Sequence, residues 1–168
     1  QVIDLTTLSA AQGFIIQGDE QNDYSGRSVS SAGDINGDGF GDLIIGTPFG
    51  SDGDGLAGEA YVVFGGASGF GSDVNGRQVI DLTTLSAAQG FIIQGDSALD
   101  TAGMSVSSAG DINGDGFDDL IVGANGGDDG GSSAGEAYVV FGTANGFGSA
   151  VNGRQVIDLT TLGAAQGF

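Results

Sequence analysis

The 168-residue sequence contains no cysteine, no histidine and no tryptophan, and its three basic residues are all arginine. Without cysteine, the fold has no disulfide bond and no thiolate for catalysis or metal binding. Histidine, cysteine and lysine supply most of the nucleophiles and general bases in enzymes. Their absence predicts a protein that is not an enzyme.

Positive charge is also scarce. Aspartate and glutamate number 22 against the three arginines, which gives a formal net charge of -19. Such a charge repels phosphate backbones and anionic lipids, so we expect no nucleic-acid partner and no membrane insertion. No apolar run approaches the roughly 20 residues that a membrane-spanning helix needs. Cations are the partners that this composition favours.

Glycine is abundant, with 35 residues, whereas proline occurs once. Glycine weakens helices and strands and collects in turns. The glycines follow no three-residue period, which excludes a collagen-like chain. Short apolar runs rich in isoleucine, valine, phenylalanine and tyrosine lie between the glycine-rich turns. This pattern predicts an all-β fold with many short strands.

The sequence repeats with a period of 77 residues. The segment QVIDLTTLSAAQGFIIQGD begins at Gln1 and again at Gln78, and a third, shorter copy begins at Gln155. Roughly 59 of 77 positions are identical between the two full units, and most differences fall in loops. Each unit contains four predicted strands, which is typical of β-propeller blades. In the first unit they are residues 13–18, 28–33, 42–46 and 59–65.

Each unit carries one acidic loop between two predicted strands, DINGDGFGD at 34–42 and DINGDGFDD at 111–119. Oxygen-bearing side chains fall at alternate loop positions, and the phenylalanine can offer its backbone carbonyl. Ca²⁺ takes six to eight such oxygens, whereas Mg²⁺ keeps more of its waters. We therefore predict two Ca²⁺ ions per chain, about one per blade. The predicted ligands are Asp34, Asn36, Asp38, Phe40 and Asp42 in the first loop and Asp111, Asn113, Asp115, Phe117 and Asp119 in the second.

These loops differ from the calcium loop of an EF-hand. Position 12, which holds a bidentate glutamate in an EF-hand, is Ile45 in the first loop and Val122 in the second. Predicted strands flank the loops instead of helices, so the ion is expected to fasten a turn between two strands. The alternative is an acidic turn in which Asp and Asn side chains bond to the backbone without an ion.

The sequence GDINGDGFGDLIIGTP, followed by GEAYVVFG, resembles the FG-GAP repeat, the blade unit of integrin α-subunit β-propellers and of many bacterial extracellular proteins. Both signatures of that repeat are present in altered form. The Phe-Gly glycine corresponds to Gly26 and Gly103, and the Gly-Ala-Pro triplet to Gly46-Thr47-Pro48 and Gly123-Ala124-Asn125.

The resemblance implies a β-propeller of four-stranded antiparallel blades, two per chain. Residues 28–33 would form the innermost strand, followed by 42–46, by 59–65 and by an outer strand from the next unit. It also implies a calcium-stabilised structural or protein-interaction module, adhesion-like in role and located outside the cell or at its surface. A carbohydrate-binding lectin propeller, with a glycan ligand, is the alternative.

The expected organisation has three parts. Residues 1–25 would supply an outer strand that completes a neighbouring blade, 26–95 the first blade, and 96–168 a second blade that lacks its own outer strand. A propeller needs about four to eight blades to close. We therefore expect homo-oligomerisation into a closed ring, a trimer or a tetramer. The alternative is that the chain is part of a longer array.

The sequence says less about the carboxylates outside the two acidic loops. Glu59 and Glu136 begin strands and are expected to lie at a sheet edge or rim. Four loop carboxylates are interpreted as solvated, with an accessory cation site as the alternative. They are Asp52, Asp54, Asp128 and Asp129.

Overall fold

The computed structural model describes residues 2–52 and 55–168, so the predicted loop residue Asp54 lies outside the described residues. This part of the chain is all-β, with three short 3₁₀ helices and no closed barrel. The strands are β1 (Ile15–Gln17), β2 (Ser28–Gly33), β3 (Asp42–Thr47), β4 (Glu59–Val63), β5 (Ser72–Val74), β6 (Arg77–Asp81), β7 (Gly90–Gln94), β8 (Ala102–Gly110), β9 (Asp119–Ala124), β10 (Glu136–Val140), β11 (Ser149–Val151) and β12 (Arg154–Asp158). The 3₁₀ helices are Leu5–Thr7, Leu82–Thr84 and Leu159–Thr161.

The first blade consists of β2, β3, β4 and β7, which form an antiparallel sheet in that order. Ile45 in β3 lies opposite Val29 in β2 and opposite Tyr61 in β4. The outer strand β7 comes from the second repeat. This is the strand order that the FG-GAP resemblance implies.

Two further hairpins extend the sheets beyond the blades. β12 pairs in parallel with β7, and β11 pairs with β12, so the first blade continues into a six-stranded sheet. In the same way, β1 pairs in parallel with β6, and β5 pairs with β6. Asn75 and Gly76 form the turn between β5 and β6 with φ angles of 54° and 82°. Positive φ at both positions is the conformation that an Asn-Gly hairpin turn favours. These hairpins were not predicted.

The second blade consists of β8, β9 and β10. At the outer edge of β10, Val140 pairs with Gly167, and the Val139 N–H donates to the Phe168 carbonyl at 2.6 Å. The described residues therefore give this blade three strands and the first residues of a fourth.

Two hydrophobic cores lie on opposite faces of the first blade. One core joins it to the second blade and includes Ile44, Val62 and Leu120. The other joins its opposite face to the β1–β6–β5 sheet and includes Tyr61 and Ile80. Because both faces are covered, every residue of β4 is buried. Among the described residues, no helix has the length and apolar character needed to span a membrane.

Candidate metal centres

The two acidic loops close equivalent hairpins, one between β2 and β3 and the other between β8 and β9. Each loop begins directly after the innermost strand and ends at the first residue of the next strand. Gly37 and Gly39 have φ angles of 74° and 87°. Non-glycine residues avoid this region, so the glycines allow the tight turn that these loops make.

The carboxylate of Asp34 lies at the centre of the first loop. Its Oδ1 accepts the Asp38 N–H at 3.0 Å and its Oδ2 accepts the Gly39 N–H at 2.9 Å. The Asn36 Oδ1 also accepts the Asp38 N–H, at 2.9 Å. The loop therefore wraps around the first predicted ligand and gathers the side chains of three predicted ligands on one turn. The second loop repeats these bonds through Asp111, Asn113, Asp115 and Gly116.

The aspartate at position 9 of each loop accepts hydrogen bonds from one backbone N–H inside the loop and one outside it. Asp42 is 1% exposed; its Oδ2 accepts the Ile35 N–H at 3.0 Å and its Oδ1 accepts the Gly65 N–H at 2.7 Å. Burial raises the pKa of Asp42, and these two N–H donors oppose that rise. Asp119 makes the same two bonds in the second loop and is fully buried. This carboxylate joins the loop to the residues that follow β4 or β10.

The donor atoms of the loops suit a hard divalent cation. Carboxylate, amide and carbonyl oxygens are the only ligands that the predicted positions offer, as Ca²⁺ prefers. Each oxygen of Asp34 accepts one N–H and retains a further lone pair. The donor set therefore fits calcium, and ligation by the ten predicted residues remains a prediction.

The two loops also contact each other across the interface between the blades. The Asp34 N–H donates to Asp118 Oδ2 at 2.8 Å, and the Asp118 N–H donates to the Asp34 carbonyl at 3.3 Å. Asp118 stands where the first repeat has Gly41. The first loop thus gains a carboxylate from the second blade.

The structure also brings together carboxylates outside the acidic loops, which the sequence did not predict to lie close to one another. We call Asp19, Asp52 and Glu59 the first acidic cluster, and Asp96, Asp129 and Glu136 the second acidic cluster. One carboxylate oxygen from each member lies within 4.8 Å of the others. The interpretation of Glu59 as an edge residue was wrong, because it is 1% exposed and begins β4, which lies between β3 and β7.

The first acidic cluster is hydrogen-bonded and paired with an arginine. The Tyr61 hydroxyl lies 2.8 Å from Glu59 Oε2 and also contacts Asp19, so its single proton is donated to one of these carboxylates at a time. The Asp52 N–H donates to Glu59 Oε1 at 2.8 Å. Arg154 contacts Asp52, and its Nη1 lies 3.6 Å from Asp19 Oδ2. Burial raises the pKa of Glu59 to about 7, although the Tyr61 and Asp52 donors lower it.

The second acidic cluster has the same internal bonds. The Tyr138 hydroxyl lies 2.6 Å from Glu136 and 2.7 Å from Asp96, so its single proton is donated to one of these carboxylates at a time. The Asp129 N–H donates to Glu136 at 2.7 Å. Burial, followed by a hydrogen bond with Asp96, raises the pKa of the neighbouring Asp100 to about 6. The 77-residue spacing between equivalent acids was visible in the sequence, but their contacts were not.

Comparison with known proteins gives the family. The FG-GAP repeat family matches residues 25–63 and 102–140. The chain is an FG-GAP repeat protein. Each matched segment of this FG-GAP protein contains one acidic loop and the glutamate of one acidic cluster, whereas Asp19, Asp96 and Arg154 lie outside both segments.

Integrin α chains are among the relatives of this FG-GAP protein. Integrin alpha-5 of Xenopus laevis is 36% identical over 111 residues, or 66% of the chain. Integrin alpha-3 of Cricetulus griseus is 31% identical over 110 residues, also 66% of the chain. Integrin alpha-PS2 of Drosophila melanogaster is 31% identical over 138 residues, or 79% of the chain. The matched region spans 9% of each of these integrins.

Proposed function

We propose that this chain is a calcium-binding, calcium-stabilised module that serves protein interaction in an adhesion-like protein outside the cell or at its surface. The observation that carries the proposal is the pair of acidic loops, each of which closes a hairpin between the two innermost strands of a blade. The similarity to integrin α chains supports the adhesion-like role.

Charge gives the ion a structural role. Asp34, Asp38 and Asp42 place three carboxylates within nine residues. An ion bound only by the folded state neutralises part of this charge and stabilises the fold by mass action. With dissociation constants of about 10⁻⁴ to 10⁻³ M, as in extracellular modules, 10 mM Ca²⁺ contributes about 1.4 to 2.7 kcal/mol per site.

Thermal unfolding in Ca²⁺ and in EDTA tests this proposal. We expect Ca²⁺ to raise the melting temperature by several degrees, and Mg²⁺ at the same concentration to raise it less. Asp38→Ala and Asp115→Ala should each remove about half of the gain, and the double variant nearly all of it. Glu20→Ala removes one exposed carboxylate outside the loops and serves as the control. A full calcium gain in the double variant would contradict the ligand assignment.

We also propose that copies of the chain associate into a closed ring of three or four, with six or eight blades. β1 has the sequence of β7, and β10 has the sequence of β4. Apart from the contacts of residues 166–168 with β10 and Phe141, the described residues leave the outer edge of β10 and the second edge of β1 without a strand partner. The β4–β7 register is a template for pairing β10 of one copy with β1 of the next.

Light scattering after size-exclusion chromatography in Ca²⁺ measures the assembly. A mass of three or four chains is the expected result, and Ile16→Pro should reduce it because proline removes an N–H donor from β1. A mass of one chain at micromolar concentration would rule out the ring and leave the calcium proposal intact.

A further inference from the structure

The two acidic loops are held together by the carboxylate of Asp118. Its Oδ2 accepts the Asp34 N–H at 2.8 Å, and the Asp118 N–H donates to the Asp34 carbonyl at 3.3 Å. Gly33, which precedes the first loop, leaves the space for this carboxylate, because an added Cβ there would overlap it. The contact therefore fixes the backbone of the first predicted ligand in the first loop.

Two further contacts hold the first loop against the second blade. The Thr143 N–H donates to the Ile35 carbonyl at 2.9 Å. The ring of Phe117 lies so close to Gly37 that an added Cβ on this glycine would overlap it. The second blade thus contacts the first loop at its first, second and fourth residues.

The contacting residues of the second blade are joined to the predicted ligands of the second loop. Asp118 lies between Phe117 and Asp119, and both of these neighbours are predicted ligands. The Phe117 N–H donates to Asp115 Oδ1 at 3.0 Å, which ties the segment to a third predicted ligand. Asp119 is fully buried, so the packing around it sets its position. One three-residue segment therefore carries two predicted ligands of the second loop and the carboxylate that holds the first loop.

The sequences of the two loops differ at one position only. This is position 8, where the first loop has Gly41 and the second has Asp118. The first loop closes the same kind of hairpin without a side chain at this position, so a loop does not need the carboxylate for its own turn. The one carboxylate by which the loops differ is thus the one that bonds to the neighbouring loop.

We propose that Asp118 is a positioning residue for the calcium site of the first loop and couples that site to the one in the second loop. This inference rests on the calcium binding proposed above. When ligation fixes Phe117 and Asp119, the carboxylate between them is fixed as well, and the first loop loses less entropy on binding its own ion. Coupling of binding sites is reciprocal, so each site raises the affinity of the other.

Isothermal titration calorimetry with Ca²⁺ measures this coupling. Asp115→Ala leaves the first site to be measured alone, and Asp38→Ala leaves the second. The coupling factor is the product of the two association constants of the wild type divided by the product of these single-site constants. We expect a factor of about five or more, at the lower end of typical coupling between sites. A factor of one would overturn the proposal.

Two variants of Asp118 separate its hydrogen bond from its charge. Asp118→Ala and Asp118→Asn each remove one negative charge, but only asparagine keeps an oxygen that can accept the Asp34 N–H. The coupling factor, measured again in each background, should fall by more than half in Asp118→Ala and stay close to the wild-type value in Asp118→Asn. An equal fall in both variants, or no fall in either, would overturn the proposal.

Amide hydrogen exchange at saturating Ca²⁺ gives the second readout. The Asp34 N–H should exchange faster in Asp118→Ala than in Asp118→Asn or the wild type. The Ile112 N–H, which donates to Asp119 within the second loop, is the control and should be unchanged. Unchanged exchange of the Asp34 N–H in Asp118→Ala would overturn the proposal. A wild type that binds no Ca²⁺ would overturn the calcium proposal as well, whereas two ions that bind independently would overturn the coupling alone.

Discussion

Glu59 and Glu136 occupy the same place in two nearly identical repeats, yet their surroundings differ. Glu59 is buried, and the two aspartates of its cluster contact Arg154, the last residue of the second repeat. Glu136 is partly exposed and receives no arginine from the described residues. The same sequence thus acquires different electrostatics because a different neighbour covers it. In this fold, the following repeat decides the environment of the preceding one.

The largest expected difference between the repeats is at their equivalent Phe-Gly glycines. Gly26 and Gly103 have φ angles of 85° and 83°, so alanine is strained at both positions. A Cβ on Gly26 would meet nothing within 4 Å, whereas a Cβ on Gly103 would overlap the Glu59 carbonyl oxygen. We expect Gly103→Ala to cost about 3 kcal/mol of unfolding free energy and Gly26→Ala about 1 kcal/mol. Urea denaturation measures both, and equal losses would contradict the packing of the blades.

Arginine variants test the difference between the acidic clusters directly. Arg154→Ala leaves Asp19 buried beside Asp52 and Glu59 without its cation, and we expect a loss of about 2 kcal/mol. Arg77→Ala removes the equivalent residue of the first repeat, which makes no ion pair among the described residues. Its expected cost is below about 0.5 kcal/mol. Chemical denaturation in EDTA compares the two, and a larger loss in Arg77→Ala would reverse the comparison.

A pH dependence is expected from Glu59, whose partly exposed counterpart is Glu136. Its pKa in the folded protein is about 7, above the ordinary value of 4.5. The folded state therefore binds more protons than the unfolded state between these values, so stability is greatest at low pH and falls as the pH rises towards 7. With these two values, the residue contributes a loss of about 2 kcal/mol between pH 5 and 7.5.

The neutral variant Glu59→Gln isolates that contribution. It keeps the size of the side chain and can still accept from Tyr61. Melting temperatures in EDTA should fall less steeply with pH in this variant than in the wild type. A parallel pair of curves would show that another group carries the dependence.

Local patterns in the sequence were sufficient to predict the blade strands and the acidic loops. Short apolar runs bounded by glycine and aspartate gave the positions of β2, β3 and β4 to within a few residues. The β5–β6 hairpin was missed, although Asn75-Gly76 between short runs of strand-forming residues is a local signal for such a turn.

The acidic clusters could not be predicted in the same way. Asp19 and Asp52 belong to different loops, and Arg154 is 102 positions from Asp52. Arg154 reaches these aspartates because β12 pairs in parallel with β7. The sequence has no periodic signal for that pairing. The contacts of a repeat protein at its unit boundaries are set by stacking, and single-unit patterns do not contain them.

The strand β7 belongs to the first blade by hydrogen bonding and to the second repeat by sequence. The boundaries of the duplicated unit and of the folded unit are therefore offset by one strand. Unequal recombination between copies would add or delete whole 77-residue lengths, and a sheet at the junction would still receive its outer strand from the repeat that follows it in the sequence. Because of this offset, the number of repeats in an array can change without leaving the blade at the junction short of its outer strand.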